Sequence, residues 1–413
     1  MRLASLAVAS YLYIIGGGEL FAQGMIVNTT KGEQVKIKTE EVKNITFDEN
    51  KAFKTQMPRD TVRVTDTIYV HRNDGSIIRP YKRVTASVGN QSDMSKWKIP
   101  AGNYSGIAWL GDNRYAIVSD KQSADGWQEV TIDLNSKTGN IEKMSYVASH
   151  FQTGTAGSAR DAEGIALFPS ASTLFISAES DQQVVEVDMN GIPTGRRLNI
   201  PEDAGISKIY GNYGFEALAY APSVHRFWTV TENTLKADGA ASGYGSNVPA
   251  RMRVMAFGDD MSYLAQYPYI TDAPTVSKEP KLYAFGIPAL TALDDGSLLV
   301  MEREFYVASS YLGSYVRNKL YRTEPLKSKP ITFADDIKAM QPSDFIPKTL
   351  LAEFTTTLLG SPDIANFEGM CLGPKLSDGR QTLLLISDSQ DNYGNSLYHL
   401  KDYIRVVTLT IEE

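Results

Sequence analysis

The chain of 413 residues is 42% hydrophobic and 22% charged, and it carries a formal net charge of −7. This composition is typical of a globular protein that can bury a sizeable core, and all-β folds often use such a length for one domain. The chain is acidic and has no run of basic residues that could neutralise a phosphate backbone. This argues against a nucleic-acid partner.

The N-terminus has the pattern of a secretory signal peptide over residues 1–23. Arg2 supplies the positive charge, residues 3–15 are mostly apolar, and residues 20–23 offer a cleavage region. A membrane anchor needs about 20 apolar residues, and three glycines and a glutamate interrupt this stretch earlier. We therefore predict a periplasmic or secreted protein without a membrane span. The only cysteine, Cys371, lies far from the cleavage region, so a lipoprotein is not expected.

Residues 24–90 form a segment that differs from the rest of the chain. Two strand-like stretches flank a turn at Lys31-Gly32, and a second pair flanks Asn73-Asp74-Gly75. An isolated hairpin is only marginally stable in water. This accessory β segment is therefore either a small separate module or a donor of a strand to the main domain, which we place at 91–413.

One hairpin pattern occurs five times in the main domain. Each copy has a strand marked by glycine or alanine, a turn, and an apolar strand that ends on a carboxylate. The copies span 105–120, 163–179, 216–232, 288–302 and 368–388. Further strand-like sequence follows each copy, so the repeat comprises about four strands. This periodicity predicts an all-β fold, a β-propeller of five to six blades, in preference to a sandwich or a jelly roll. Residues 58–100 together with the C-terminal strands are the candidates for a sixth blade.

The repeat also predicts where the acidic side chains gather. In an antiparallel hairpin the start of the first strand lies beside the end of the second. The first strand of each propeller blade lines the central channel, so these ends should meet at one channel mouth. The acids at the opening and closing positions are Glu163, Glu216, Glu368, Asp120, Glu179, Glu232, Glu302 and Asp388, with Asp161 and Asp391 close by.

Carboxylates at short range raise one another's pKa unless something neutralises them. Shared protons, arginine or lysine partners, and a divalent cation are the three available solutions. A structural alternative is that each acid accepts backbone N–H bonds from the neighbouring blade. Repetition favours that structural role, whereas departures from the repeat favour function. The departures are Arg160-Asp161, Arg303 and the loop 388–392, which includes Asp391 and Asn392.

These tracts resemble the family called esterase-like activity of phytase. The residues that carry the resemblance lie at 160–166, 215–219, 347–351, 366–370 and 384–388. It implies an exported propeller that hydrolyses phosphoesters or carboxylic esters, although Ala217 stands where the family usually has glycine. The Glu-Gly openings are also similar to those of calcium-dependent lactonase propellers, in which an asparagine helps to hold the metal. The candidate asparagines here are Asn212, Asn233, Asn366 and Asn392.

We therefore expect a metal-assisted ester hydrolase that acts on a small anionic substrate as a monomer. The expected ligands of a divalent cation, calcium before others because of the oxygen donors, are Glu163, Glu216, Glu368 and Asp388. Glu179 or Glu232 is the expected base, and Arg160 or Arg303 the expected anion-binding group. Further candidates at the mouth are Asp120, Asp161, Glu302, Asp391 and Asn392. The alternatives are a lactonase-like esterase and a binding or scaffold propeller without catalysis. No G-x-S-x-G or H-E-x-x-H motif supports another hydrolase class.

Overall fold

The computed structural model describes residues 81–412 except 122–123, 152–159, 359–362 and 396–398, and also the backbone of five short strands nearer the N-terminus. Two compact units divide the chain, Met1–Ile68 and Tyr69–Glu413. Apart from the backbone of Leu6–Ala9, the predicted signal peptide lies outside the described residues. None of the described helices is long and apolar enough to cross a membrane.

The first unit contains one three-stranded antiparallel sheet of β1 (Leu6–Ala9), β2 (Met25–Thr29) and β3 (Gln34–Ile37). β2 and β3 pair across Lys31-Gly32, with Met25 opposite Ile37. In the second unit, β4 (Val70–His71) pairs with β5 (Ile77–Ile78) across Asn73-Asp74-Gly75. Both strand pairs expected in the accessory segment are therefore present.

Five four-stranded sheets follow, and they are the blades of a five-bladed β-propeller. Their strands are β6 (Arg83–Asp93), β7 (Tyr104–Gly111), β8 (Arg114–Ser119), β9 (Gly126–Leu134), β10 (Ile141–Phe151), β11 (Ala162–Phe168), β12 (Thr173–Ala178), β13 (Gln183–Val187), β14 (Pro193–Arg197), β15 (Phe215–Ala221), β16 (Arg226–Thr231), β17 (Arg251–Gly258), β18 (Tyr263–Ile270), β19 (Leu282–Ala292), β20 (Leu298–Val307), β21 (Tyr315–Thr323), β22 (Lys348–Thr357), β23 (Asn366–Lys375), β24 (Gln381–Asp388) and β25 (Tyr403–Glu412).

Blades 1 to 4 use four consecutive strands each, β7–β10, β11–β14, β15–β18 and β19–β22. Blade 5 joins β23, β24 and β25 to β6, which comes from the other end of the chain. In that pairing Tyr403 lies opposite Asp93 and Val407 opposite Val88. The strand that was considered for a sixth blade thus completes the fifth. This strand, β6, crosses the expected boundary at residue 90. Most of a propeller strand therefore comes from the accessory segment.

Inter-blade packing supplies the hydrophobic core. Each adjacent pair of blades shares one cluster of buried side chains, such as that of Trp228, Tyr269 and Phe285 between blades 3 and 4. The corresponding clusters lie between blades 1 and 2, 2 and 3, 4 and 5, and 5 and 1. Neighbouring blades cover both faces of each blade. Strands with continuous apolar residues, as well as alternating ones, therefore fit this arrangement. Helical structure in the described part is limited to short 3₁₀ turns at Met94–Trp97, Glu202–Ala204, Ile206–Lys208, Lys236–Asp238, Pro325–Lys327 and Pro342–Asp344.

The innermost strands β7, β11, β15, β19 and β23 contact one another in a closed ring. Glycine allows the closest approaches. A Cβ on Gly106 would lie 2.5 Å from the carbonyl oxygen of Glu163, and a Cβ on Gly164 would lie 2.5 Å from that of Glu216. Each of these glycines directly follows an opening position of the repeat. The glycine after the opening position therefore sets how near the acidic ends come to the axis.

We expect Gly164→Ala to lower the free energy of unfolding by about 1–3 kcal/mol, because its methyl group overpacks the strand against backbone. Gly243→Ala is the matched control, since its Cβ would meet no atom nearer than 4.0 Å. Urea denaturation of both variants measures the difference. Equal stability of the two variants would contradict a tightly packed ring.

Candidate functional site

All five opening positions of the repeat line one small cavity on the propeller axis, which holds about 10 Å³. These residues are Ser105, Glu163, Glu216, Pro288 and Glu368. The cavity has room for about one water molecule. The hairpin registers place the closing positions at the same end, since Ala162 lies opposite Ala178 and Asn366 opposite Asp388. The five opening positions and the closing ends of blades 2 and 5 therefore lie at one channel mouth.

The register of blade 4 corrects the fourth closing position. In blade 3, Ala217 lies opposite Val230, two residues before Glu232. In blade 4, Ala289 lies opposite Met301, and two residues further on the chain reaches Arg303. Glu302 is thus one residue short of the structurally equivalent place. An arginine occupies the position that is acidic in the other four blades. This reversal of charge is not visible when the five sequence copies are aligned by their final acids.

Glu302 is a structural residue away from the mouth. Its carboxylate accepts hydrogen bonds from Tyr269 Oη at 2.7 Å, the Asp272 backbone N–H at 2.8 Å and Lys348 Nζ at 2.6 Å. Glu304, two residues on along the same strand, accepts bonds from the backbone N–H groups of Thr275 and Val276. Glu302 therefore has the structural role that the sequence offered as an alternative for all the repeated acids, since it accepts a backbone N–H bond from the neighbouring blade.

Arg303 is buried at the centre of the mouth, with only 2% of its surface exposed. Its Nη1 donates to Glu368 Oε1 at 2.5 Å and to Asn366 Oδ1 at 2.9 Å. Its Nη2 donates to Glu232. Asn366 Nδ2 also donates to Glu368 Oε1, at 2.7 Å. The guanidinium therefore joins blades 3, 4 and 5, and it is not open to a substrate anion.

A first group of three carboxylates lies where blades 1 and 2 meet. Asp120, Asp161 and Glu163 each offer an oxygen within 4.8 Å of the other two. Asp120 forms an ion pair with Lys121, whose side chain is half exposed. The other oxygen of Asp120, Oδ1, is buried and accepts no hydrogen bond from the described residues. Asp161 is partly exposed, so this group is reached from solvent.

A second group lies where blades 2 and 3 meet, and its members are Glu179, Glu216 and Glu232. Their oxygens also lie within 4.8 Å of one another. Glu179 Oε1 accepts a bond from the Gly214 backbone N–H at 3.0 Å. Glu216 is only 9% exposed, and its Oε2 has no hydrogen-bond partner among the described residues. Glu179 and Glu232, the two expected bases, thus share one group with Glu216.

The two groups are poorly satisfied as hydrogen-bond acceptors. The described residues outside the two groups supply three partners to these six carboxylates, namely Lys121, the Gly214 N–H and Arg303, and Glu216 and Glu232 hydrogen-bond to each other. Glu302 alone, outside the mouth, receives three bonds. Buried polar groups normally find partners, and an unpaired charge is costly to bury. The mouth carboxylates therefore lack the bonding pattern of structural residues.

One geometric rule relates the blades at the mouth. At three of the five junctions, the closing residue of one blade meets the opening residue of the next blade. Asp120 meets Glu163 at the junction of blades 1 and 2, and Glu179 meets Glu216 at the next. At the junction of blades 4 and 5 the pair is Arg303 with Glu368, an ion pair. At the remaining junctions the opening residue is Pro288 or Ser105.

Burial raises the pKa of these acids, and neighbouring carboxylates raise it further. Desolvation and then the charge of Glu368 hold the pKa of Glu163 well above its ordinary value. Desolvation and then Glu232 raise the pKa of Glu216 well above its ordinary value and that of Glu179 to about 8. Desolvation raises the pKa of Asp120 to about 6. The unliganded mouth therefore retains protons near neutral pH, because it holds more carboxylates than cationic side chains.

The remaining predicted residues have other partners. Arg160 donates to Asp181 through Nε at 2.6 Å and Nη2 at 2.9 Å. Asp388 accepts bonds from Gln390, both backbone and side chain. Asp391 pairs with Asn103, which donates to it at 2.6 Å. Of the candidate asparagines, Asn366 lies at the mouth, Asn233 binds the backbone carbonyls of Ser242 and Phe285, and Asn212 and Asn392 are exposed.

Tyr213 is a neighbour of the second group that the sequence did not suggest. Desolvation, and next the charge of Glu232, raise the pKa of its phenol. The only sequence signal was its place three residues before Glu216. The loop that carries it also supplies the Gly214 N–H that holds Glu179. A loop of blade 3 is thus part of the mouth.

The opposite ends of the inner strands enclose a different cavity, of about 580 Å³. Its lining is mostly apolar and comes from all five inner strands, including Leu110, Leu167, Tyr220 and Leu372. The three-carboxylate groups do not line this cavity. The acidic residues and the open apolar space therefore occupy opposite ends of the channel.

Comparison with known proteins agrees with the motifs. The family model described as phytase-like, esterase-like activity of phytase, matches residues 99–392. The chain belongs to this family. The match includes both three-carboxylate groups, Arg303 and Glu368. No curated protein matches the chain.

Solved structures similar to this family member are distant in sequence. A PQQ-bound aldose sugar dehydrogenase from Streptomyces coelicolor is 13% identical with a TM-score of 0.36, covering 80% of this chain and all of that one. A streptogramin B lyase is 11% identical with a TM-score of 0.29, covering 80% of this chain and 98% of that one. A protein of unknown function from Bacteroides thetaiotaomicron is 9% identical with a TM-score of 0.34, covering 98% and 90%. These values support no transfer of activity.

We expect Arg303→Met to lower the free energy of unfolding by about 3–5 kcal/mol, because it leaves Glu232 and Glu368 buried without their counter-charge. Arg160→Met is the control, since its partner Asp181 is 39% exposed and such pairs are worth about 1 kcal/mol or less. Urea denaturation without added metal compares the two variants. Similar losses in both would show that Arg303 does not hold the mouth together.

We expect the metal-free protein to lose stability as the pH rises from about 4.5 to about 8. The pKa of Glu179 is raised to about 8 in the folded protein, so the folded state binds protons more tightly than the unfolded state. The stabilisation that comes from protonation of Glu179 is complete below the ordinary pKa of glutamate and is lost above the raised pKa. Urea denaturation in EDTA across this range measures the trend, and Glu179→Gln should flatten it. A free energy of unfolding that rises with pH would contradict the proton-sharing mouth.

Proposed function

We propose that this protein is an exported hydrolase of phosphoesters or related esters and that its acidic mouth works with a bound divalent cation. The observation that supports this most is the shortage of partners for the mouth carboxylates, two of which have a buried oxygen with no hydrogen bond from the described residues. Membership of a family described by its esterase-like activity agrees with the reaction class. The signal-peptide pattern at 1–23 supports export.

Asp120, Asp161 and Glu163 are the residues we assign to the cation. Two oxygens that bind one Ca²⁺ at about 2.4 Å can be at most about 4.8 Å apart, and the three carboxylates meet that limit. Hard oxygen donors and the absence of histidine or cysteine from the group favour calcium over zinc. A bound cation would polarise the ester and lower the pKa of an attacking water.

Glu368 is the proton acceptor that we assign from the geometry. Arg303 Nη1 and Asn366 Nδ2 both donate to its Oε1, so the carboxylate is oriented by two neighbours and Oε2 is left for a proton. Desolvation raises its pKa, although Arg303 opposes the change. A base whose pKa is shifted towards the working pH is more effective. We prefer Glu368 to Glu179 and Glu232 because its charge acts on Glu163 of the first group more strongly than that of Glu179, and because Glu179 and Glu232 belong to the second group.

Lys121 is the residue that we assign to the anionic part of the substrate. Its side chain is half exposed at the rim and pairs with Asp120. A cation bound by Asp120 would compete with that pair and free the ammonium group. Lysine binds phosphate as a point charge with three donors. Neither expected arginine is available, because Arg303 is buried and Arg160 is bound to Asp181.

We expect Glu163→Gln to abolish hydrolysis and to remove the cation of the first group, because the amide cannot supply the anionic ligand. A panel of chromogenic phosphate mono- and diesters, carboxylic esters and lactones measures the activity. Calcium-dependent thermal stabilisation measures binding, since a ligand that binds only the folded state raises the melting temperature.

Glu302→Gln is the matched control, because Glu302 ends the same sequence repeat but lies outside the mouth. It should lose stability and keep both hydrolysis and the response to calcium. Full activity in Glu163→Gln would overturn the mechanism. A calcium response without turnover of any substrate in the panel would favour a binding propeller instead.

A further inference from the structure

We propose that the mouth holds a second, buried cation between Glu179, Glu216 and Glu232, in addition to the cation of the first group. This inference rests on the proposed function, since it extends the cation chemistry of the same mouth. The two groups belong to different junctions, blades 1 and 2 for the first and blades 2 and 3 for the second. Each group has its own set of three oxygens within 4.8 Å.

The unpartnered oxygen in the second group points to a ligand there. Glu216 is only 9% exposed, its Oε2 receives no hydrogen bond from the described residues, and carboxylate oxygens of Glu179 and Glu232 lie within 4.8 Å of its carboxylate. A buried anionic oxygen surrounded by other anionic oxygens is stable only with a positive charge or a proton between them. The first group has the same feature at a different atom, Asp120 Oδ1. The oxygens that lie within 4.8 Å of one another form two separate groups, so we assign one cation to each group.

The junction of blades 4 and 5 shows how the same chain solves this problem with its own side chain. There the closing residue is Arg303, and its guanidinium binds the opening residue Glu368. A positive charge therefore stands between the closing and opening positions. At the junction of blades 2 and 3 both positions are glutamates, Glu179 and Glu216, so the positive charge must come from outside the chain.

Arg303 does not satisfy the second group by itself. Its Nη2 binds Glu232, but Nη1 is directed to Glu368 and Asn366, and Nε has no partner among the described residues. One positive charge is thus divided between two junctions. Apart from the hydrogen bond that Glu216 shares with Glu232, the described residues offer Glu179 and Glu216 only the Gly214 N–H. When its three carboxylates are ionised, the second group carries more negative charge than Arg303 neutralises, and a divalent cation would balance the excess.

Burial gives the second cation a structural role. Glu179, Glu216 and Glu232 are 5%, 9% and 3% exposed, whereas Asp161 of the first group is partly open to solvent. An ion enclosed this way would link Glu179 of blade 2 to Glu216 and Glu232 of blade 3. Arg303 links blade 4 to blade 5 in the same manner through Glu368. The first group retains the exposure that a substrate needs.

Calcium stoichiometry tests the inference in the full chain. The protein is first stripped with EDTA and then titrated with CaCl₂ by isothermal titration calorimetry and by equilibrium dialysis. We expect two ions per chain in the unaltered protein and one in Glu216→Gln. Glu302→Gln is the control and should keep two.

A charge-replacement variant makes the test specific to this junction. Glu179→Arg places a guanidinium at the closing position of blade 2, as Arg303 does in blade 4. We expect it to bind one calcium ion and to melt, in EDTA, at a higher temperature than Glu216→Gln. A smaller dependence of the melting temperature on calcium should accompany this change.

One ion per chain in the unaltered protein, or an unchanged stoichiometry in Glu216→Gln, would overturn the second site. The proposed function would survive that outcome as long as Glu163→Gln loses hydrolysis and the remaining ion. Loss of activity in Glu163→Gln with two ions still bound would instead contradict the assignment of the first group. The failures of the two proposals are therefore distinguishable.

Discussion

The concentration of negative charge on the propeller axis is the constraint on which the rest of this structure depends. Five inner strands approach so closely that a side chain on Gly106 or Gly164 would collide with the backbone of the next blade. The acids that begin and end the hairpins are thereby withdrawn from water and held beside one another. Desolvation and mutual repulsion then demand protons, a guanidinium or a cation.

Arg303 shows how far the chain meets this demand by itself. It replaces an acid at one of five equivalent positions and ties Glu232, Asn366 and Glu368 together. The repeat is thus broken where a positive charge is needed. At the junctions of blades 1 and 2 and of blades 2 and 3 the closing and opening positions are both acidic, and these are the places where three carboxylates meet. Structural and functional roles are therefore divided among positions that look identical in the sequence.

The two ends of the channel differ in chemistry because the inner strands change character along their length. Each begins near the mouth at an opening position, acidic in three of five blades, and continues into apolar residues that line the opposite cavity. The small axial cavity of about 10 Å³ lies at the opening positions, between these two ends. Water and ions at the acidic mouth are thus separated from the apolar end, which keeps the electrostatic interactions of the mouth in a poorly solvated environment.

The sequence by itself determined the all-β propeller and the gathering of its acids at one mouth, because hairpin period and strand alternation are local properties. It left the blade count open, since the strand that completes blade 5 lies some 300 residues from its partner, as Val88 and Val407 show. It also misplaced one closing position, because the strand pairing that aligns Arg303 rather than Glu302 with Glu232 is visible only in the structure. Tertiary structure alone decided which carboxylates have partners. A carboxylate such as Glu302 is satisfied by groups more than 25 residues away, whereas Oε2 of Glu216 has no hydrogen-bond partner among the described residues.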